Sequence, residues 1–124
     1  MSHYTTIQTQ IKNVDALKAA CAELNLPMEA NALARGYAQS LKGEHVIRLK
    51  GPYDIAVNPQ PDGTYSLTTD WWNGHVEREV GTGFGKLLQL YGVHQATLTA
   101  RRHGYSVQRK PQANGAIKLV LTQA

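Results

Sequence analysis

The sequence predicts an α+β fold, in which a mostly antiparallel sheet has two helices packed on it. Three observations predict this fold: short runs of alternating residues, turn dipeptides between those runs, and two longer runs with apolar residues at steps of three and four. The strands form a meander in the middle of the chain and a hairpin near its C-terminal end. The predicted order of elements is β-α-β-β-β-β-β-α-β-β.

The first half of the chain is predicted to contain a strand, a helix and three further strands. Residues 3–11 alternate weakly and are rich in threonine and isoleucine, which favours a first strand. Asn13 can cap a helix that ends near Asn25, before Pro27. The apolar stripe of this helix consists of Val14, Leu17, Cys21 and Leu24. Strands are then expected at residues 33–39, 45–50 and 53–58.

Two dipeptides typical of tight hairpin turns continue the meander. Asp62-Gly63 and Asn73-Gly74 accept the positive φ values that such turns require. They predict that a strand at residues 64–72 follows the first turn and pairs with a strand at residues 75–80 across the second. This second pair of strands contains both tryptophans of the chain and is referred to as the tryptophan hairpin.

The last third of the chain is predicted to form a helix and a hairpin. The helix covers residues 86–103, and Gly104 can end it in a left-handed conformation. Asn114-Gly115 then joins strands at residues 105–110 and 116–121. The inward face of this hairpin should consist of Ile117, Leu119 and Leu121.

Length and composition bound the class of protein. A chain of 124 residues is too short for two cores, so residues 1–124 are predicted to form a single domain. The one cysteine, Cys21, excludes an internal disulfide framework and is typical of a reducing compartment. A polar N-terminus and the lack of a long apolar run argue against secretion and membrane spanning. We therefore expect a cytoplasmic protein.

Several blocks of the sequence resemble a known family of uncharacterised proteins. They are Met1-Ser2-His3-Tyr4, residues 7–12, 53–58, 62–65 and 70–72, Gln89-Leu90-Tyr91, residues 100–107 and residues 115–121. In this order they resemble the domain-of-unknown-function family of cyanobacterial, bacterial and plastid proteins that includes the plastid reading frame called ycf thirty-five. The resemblance implies one intact domain in the cytoplasm or plastid stroma. The family has no established activity that the resemblance could transfer.

The tryptophan hairpin is the first candidate site. Because Trp71 and Trp72 are adjacent in a predicted strand, one should enter the core while the other lies on the second face. An aromatic side chain that stays partly exposed is typical of a contact surface. We therefore expect a protein partner, or a second copy of the chain, to bind through the tryptophan hairpin. The predicted contact residues are Asp70, Trp71, Trp72, His75 and Arg78.

The distribution of charge gives an alternative. The net charge is +4, and residues 1–62 contain six basic and six acidic residues, whereas residues 63–124 contain seven and three. No acidic residue follows Glu79. A segment of one sign attracts polyanions, so single-stranded nucleic acid is the alternative ligand. The residues expected to bind it are Lys86, Arg101, Arg102, Arg109 and Lys110.

Enzymatic and metal chemistry find little support in the sequence. The stretch from Gly81 to Lys86 has the wrong spacing for a dinucleotide fingerprint or a P-loop. The five histidines show no ligand spacing on one element, so neither a metal nor another cofactor is expected. Asp70 and Glu77 could face each other across the tryptophan hairpin, but a pair of like charges destabilises a hairpin. The sequence leans towards a non-enzymatic interaction module.

Overall fold

The computed structural model describes residues 4–123 and contains two separate antiparallel sheets. Five strands form the main sheet in the order β1-β5-β4-β3-β2, and β6 pairs only with β7 among these residues. The strands are β1 (Tyr4–Gln8), β2 (Met28–Ala34), β3 (Leu41–Ile47), β4 (Ile55–Pro59), β5 (Tyr65–Asp70), β6 (Tyr105–Pro111) and β7 (Ile117–Gln123). The helices are α1 (Val14–Glu23), α2 (His75–Val80) and α3 (Gly85–Arg102).

The fold class that the sequence predicts is confirmed. The main sheet is antiparallel throughout, and the two long helices, α1 and α3, contribute to the same hydrophobic core as the sheet. Asn13 caps α1 as predicted, because its side-chain oxygen accepts a hydrogen bond from the Ala16 amide at 3.1 Å. Gly104 follows α3 with a φ of +85°, which is the left-handed conformation expected of a glycine that ends a helix.

One face of the main sheet forms the core with the helices. Ile55, Val57 and Leu67 project from this face and are fully buried. Leu17 of α1 and Leu87 of α3 belong to the same cluster. Because side chains alternate along a strand, the neighbours of these residues point to the opposite face of the sheet. That second face holds the polar residues of the candidate site.

The prediction of a strand at residues 75–80 is wrong, and with it the tryptophan hairpin. Asn73 and Gly74 do adopt the left-handed φ values of 59° and 71° that the turn chemistry predicts. His75 then enters a right-handed helical conformation, and α2 begins there. Val76 and Val80 are both fully buried, whereas Arg78 between them is exposed. A strand would place all three side chains on one face, but a helix places Arg78 on the side opposite the valines. Core packing of this valine pair therefore favours a helix over a returning strand.

Two further differences concern strand positions. Residues 33–39 were expected to form a strand, but β2 covers Met28–Ala34. Its alanine-rich sequence gives little alternation, and Asn31 interrupts it with a φ of 50°. Residue 3, the predicted start of the first strand, lies outside the described residues.

The C-terminal hairpin forms a ribbon that packs on α3 instead of joining the main sheet. This ribbon (β6 and β7) is tied to α3 by a hydrogen bond from the Gln89 amide to the Gly115 carbonyl at 2.9 Å. Ile117 and Leu119 are half-buried, as expected of an inward face. Leu121 lies on the same face of β7 as these two residues but is 50% exposed, so the inward face is only partly covered at this end. None of the helices in residues 4–123 combines the length and apolar character that crossing a bilayer requires.

Candidate functional site

The two tryptophans follow directly after β5 and contact different neighbours. Trp71 packs against Phe84, with ring centroids 4.7 Å apart, at the edge of the main core. Trp72 begins a 3₁₀ turn and packs against Tyr37, with centroids 6.3 Å apart and ring planes inclined by 58°. Both tryptophans are half-buried and pack against the main core, and neither lies in β5, so the predicted separation onto the two faces of a strand is wrong.

The carboxylate of Asp70 holds both of the segments that carry Tyr37 and Trp72. Its neighbour Thr69 pairs with Ile55, a core residue, so the Asp70 side chain points to the second face of the sheet. The residue is fully buried, and its carboxylate accepts hydrogen bonds from the Tyr37 amide at 2.9 Å and the Trp72 amide at 3.0 Å. Asp70 thus holds the backbone positions of the two rings that contact each other.

The segment that carries Tyr37 closes over the second face of the sheet. A hydrogen bond from the Tyr4 hydroxyl to the Gln39 carbonyl fastens it. A Cβ atom at Gly36 would overlap the Tyr4 hydroxyl oxygen, so only glycine lets the chain pass there. Tyr37 itself is 59% exposed. The segment is therefore fixed at its backbone while it presents an aromatic side chain to solvent.

A second aromatic contact extends this surface. Tyr53 meets His75 in an edge-to-face arrangement, with centroids 5.5 Å apart. Burial, and then the negative charge of Asp70, raise the pKa of the Tyr53 hydroxyl, so it stays protonated. Tyr37, Trp72 and His75, with the buried Tyr53 ring packed against His75, are referred to as the aromatic patch. Arg78 supports it from α2, because its guanidinium donates to the Asn73 carbonyl at 3.1 Å and lies 3.4 Å from His75 Nδ1.

A cluster of charges that sequence reasoning missed lies beside the aromatic patch. Asp54 has a side chain that is 0% exposed, and Arg35 and Arg48 both donate to it at 2.8 Å. Its carboxylate also accepts the backbone amides of Arg35 at 3.0 Å and Leu49 at 3.1 Å. Burial alone would raise the pKa of Asp54, but these hydrogen bonds lower it below its usual value. The three residues Arg35, Arg48 and Asp54 are referred to as the Asp54 cluster.

Glu79 connects the Asp54 cluster to α2. Its carboxylate accepts the amides of Lys50 at 2.7 Å and Gly51 at 3.0 Å, which fixes the turn before β4. Arg35 donates to the Gly51 carbonyl at 3.0 Å, and a Cβ atom at Gly51 would lie 3.7 Å from His75 Cβ. The half-exposed Arg35 guanidinium therefore borders the aromatic patch.

The predicted polyanion-binding residues do not form one surface. Arg109 donates to both carboxylate oxygens of Glu23, at 3.0 and 2.9 Å, and His94 Nε2 lies 2.8 Å from the same carboxylate. Lys86 and the pair Arg101 and Arg102 are exposed at opposite ends of α3, roughly 22 Å apart along a helix rising about 1.5 Å per residue.

The remaining titratable groups offer little reactive chemistry. Burial raises the pKa of the Cys21 thiol to about 12, so the nucleophilic thiolate is not formed near neutral pH. Within residues 4–123, no three side chains of His, Cys, Asp or Glu come together in a way that could hold a metal ion. Asp70 and Glu77 do not face each other, because Glu77 lies on α2.

The arrangement had only a partial signal in the sequence. The adjacent tryptophans, Asp70 and His75 pointed to this end of the molecule, although through the wrong secondary structure. Tyr37 and Arg35 carried no such signal, because nothing in the local pattern indicates that their segment folds back over the second face of the sheet.

Comparisons with known proteins agree with the family resemblance. Neither the curated proteins nor the solved structures gave a match to this chain. A family model described as a protein of unknown function (DUF1257) matches residues 20–120. This range runs from the second half of α1 through β2 to β5 of the main sheet, the aromatic patch and α3 into the ribbon. The chain therefore belongs to the DUF1257 family of proteins of unknown function.

Proposed function

We propose that the chain is a small non-enzymatic interaction module that binds a protein partner through its aromatic patch. The single observation that carries the proposal is the exposed Tyr37 ring, held against Trp72 by a buried carboxylate that fixes both backbones. A preorganised contact residue loses little freedom on binding, so more of its contact energy appears as affinity.

The residue types of the surface support this proposal. Tryptophan, tyrosine and arginine are enriched among the residues that dominate the energy of protein interfaces. Tyr37, Trp72 and Arg35 supply all three within one region. The Arg35 side chain is 50% exposed, although its guanidinium donates to Asp54. A partner can therefore contact its planar face while its internal hydrogen bonds remain in place.

The carboxylates of this region are committed to the fold, which supports a binding role over catalysis. Asp54, Asp70 and Glu79 each accept two backbone amides. The lowered pKa of Asp54 disfavours it as a general acid near neutral pH. We further infer a cytoplasmic location, since a single protonated cysteine suits a reducing compartment.

The experiment starts from a photo-crosslinking residue at position 37 in the full chain, expressed in its source cells. The crosslinked partner is identified by mass spectrometry, and its affinity is then measured with Tyr37→Ala, Trp72→Ala and Tyr105→Ala. Tyr105 is an exposed tyrosine of the ribbon and serves as the matched control. Loss of a dominant interface residue costs about 2 kcal/mol or more, so we expect the first two variants to bind roughly 30-fold more weakly.

An equal loss in the Tyr105 control would contradict the proposal, because binding would then not depend on the aromatic patch. Urea denaturation of Trp72→Ala separates loss of binding from loss of folding, and the exposed Tyr37 provides a variant that leaves the core intact. If the crosslinks join only two copies of the chain, the aromatic patch mediates self-association and does not bind a different protein.

Single-stranded nucleic acid or another polyanion stays the alternative ligand. Arg101 and Arg102 favour it, because both are exposed in the last turn of α3. Basic residues at this position also stabilise the negative end of a helix, which needs no ligand. Replacement of both by glutamine should flatten the dependence of log affinity on log salt by about 0.7 for each phosphate that is no longer neutralised. No binding at low salt would remove this alternative.

A further inference from the structure

The ribbon has an inner and an outer face that its contacts identify. Arg109 reaches from β6 to Glu23 of α1, so its side of the ribbon faces the body of the molecule. Residues before and after it in the strand point the other way. Together with their register partners on β7, these residues form the outer ribbon face: Ser106, Gln108, Lys110, Lys118, Val120 and Thr122. All of them are exposed except Val120, which is half-buried.

The charges on the outer ribbon face are unusual for a hairpin. Lys110 pairs directly with Lys118, and like charges in that position destabilise a strand pair. Neither β6 nor β7 contains an acidic residue, and no ion pair in residues 4–123 involves either lysine. A face kept only for solubility is better served by mixed signs. The arrangement is electrostatically complementary to a ligand with closely spaced negative charges.

The shape of the ribbon selects among such ligands. Two strands about 5 Å apart and roughly 20 Å long fit the major groove of B-form DNA, which is about 12 Å wide and admits a two-stranded ribbon. Single-stranded binding relies on aromatic side chains that stack on bases, and the outer ribbon face has none. The major groove of A-form RNA is too narrow for side chains to read.

The geometry points to double-stranded DNA as the ligand of the outer ribbon face. Lys110 and Lys118 neutralise phosphates at the groove edge, and Gln108 reaches a base edge, where a glutamine amide pairs with adenine. Arg101 and Arg102 lie just before the ribbon in the chain and add phosphate contacts at its base. This inference does not depend on the aromatic patch, which belongs to a different part of the fold.

The test measures fluorescence anisotropy of three labelled probes of one sequence: a 20-base-pair DNA duplex, the corresponding RNA duplex and a single DNA strand. The full chain is compared with Lys110→Gln/Lys118→Gln and with Lys18→Gln/Lys42→Gln, which removes the same charge from exposed positions elsewhere. The wild-type chain should prefer the DNA duplex. Each phosphate contact contributes about 0.9 to the slope of log affinity against log salt. The ribbon variant should therefore lower the slope by about 2, while the control keeps it.

Three outcomes would overturn the inference. The first is no binding to the DNA duplex at low salt, and the second is an equal slope change in the control variant, which would show general attraction to the net charge. The third is displacement of the duplex by an equal charge concentration of polyglutamate, which would show an acidic protein to be an equivalent ligand. A Gln108→Ala variant that changes sequence preference at constant slope would support base contact. Circular dichroism confirms that each variant is folded.

Discussion

The charges of the Asp54 cluster are paired inside the protein, whereas those of the outer ribbon face are exposed to solvent. Asp54 is fully buried and accepts five hydrogen bonds, three from Arg35, one from the Arg48 guanidinium and one from the Leu49 amide, so its charge is satisfied inside the chain. Lys110 and Lys118 are exposed and face each other. Removing a charge from water is costly unless partners replace the solvent. The first set of charges therefore supports the fold, whereas the second remains available to a ligand.

The largest loss of stability is expected when the buried Asp54 cluster is disrupted. Asp54→Ala removes the acceptor of five hydrogen bonds and leaves two arginines without their shared partner. We expect the free energy of unfolding to fall by about 3 kcal/mol. Urea denaturation measures it, with Glu44→Ala as the control because Glu44 is exposed on β3. The control should change stability by less than about 0.5 kcal/mol, and equal losses would show that Asp54 has no special role.

Acid should weaken the Asp54 cluster. The folded pKa of Asp54 lies below its ordinary value of 3.8, so its contribution is complete above that pH and is lost as pH falls through the folded pKa. Asp54→Asn should therefore show a shallower loss of stability below about pH 4 than the wild-type chain. Thermal unfolding between pH 2 and 7 measures the difference, and Lys110→Gln should follow the wild-type profile. Parallel profiles for Asp54→Asn and the wild type would contradict the prediction.

A smaller loss of stability is expected when the ion pair that joins the ribbon to α1 is removed. Glu23 and Arg109 form a two-bonded ion pair, but about a third of each side chain is exposed. Exposed ion pairs contribute about 0.2 to 1 kcal/mol. A double-mutant cycle with Glu23→Gln and Arg109→Gln should give a coupling energy in this range, and faster amide hydrogen exchange in β6 should accompany the loss. A coupling energy of about 3 kcal/mol would contradict this prediction, because it is typical of a buried ion pair.

The smallest change in stability is expected for Lys118→Glu, which should stabilise the fold but weaken binding to DNA. Lys118→Glu converts the repulsive pair with Lys110 into an attractive one, so the free energy of unfolding should rise by a few tenths of a kcal/mol. The same substitution should abolish binding to the DNA duplex. Urea denaturation and anisotropy titration on one preparation measure both effects. A variant that keeps wild-type affinity would mean that the outer ribbon face is only a solvated surface.

Local elements could be predicted because their causes are local. The cap at Asn13 and the turn at Asn114-Gly115 depend on residues a few positions apart, and both occur in the structure, whereas only Leu17 and Cys21 of the predicted α1 stripe are buried. The strand at residues 75–80 failed for a physical reason. The turn dipeptide before it took the expected conformation, but tertiary packing of Val76 and Val80 decided what came next.

The candidate site was harder to predict because its residues come from distant parts of the chain. Arg35, Arg48 and Asp54 lie just outside three different strands, and their contact depends on the course of the segment that follows β2. Tyr37 lies 35 residues before Trp72, so no sequence pattern indicates that their rings meet. The outer ribbon face, by contrast, follows from strand alternation once Arg109 shows which side faces inward.

The separate pairing of β6 and β7 has a consequence for how this region can vary. Because within residues 4–123 the two strands pair only with each other, the ribbon can change length without disturbing the register of the main sheet. Adding one residue to each strand near the tip would turn the tip inside out, since side chains alternate with a period of two. Adding two to each strand would restore the alternation and extend the reach by about 7 Å. The ribbon can therefore be lengthened in discrete steps on a body that stays constant.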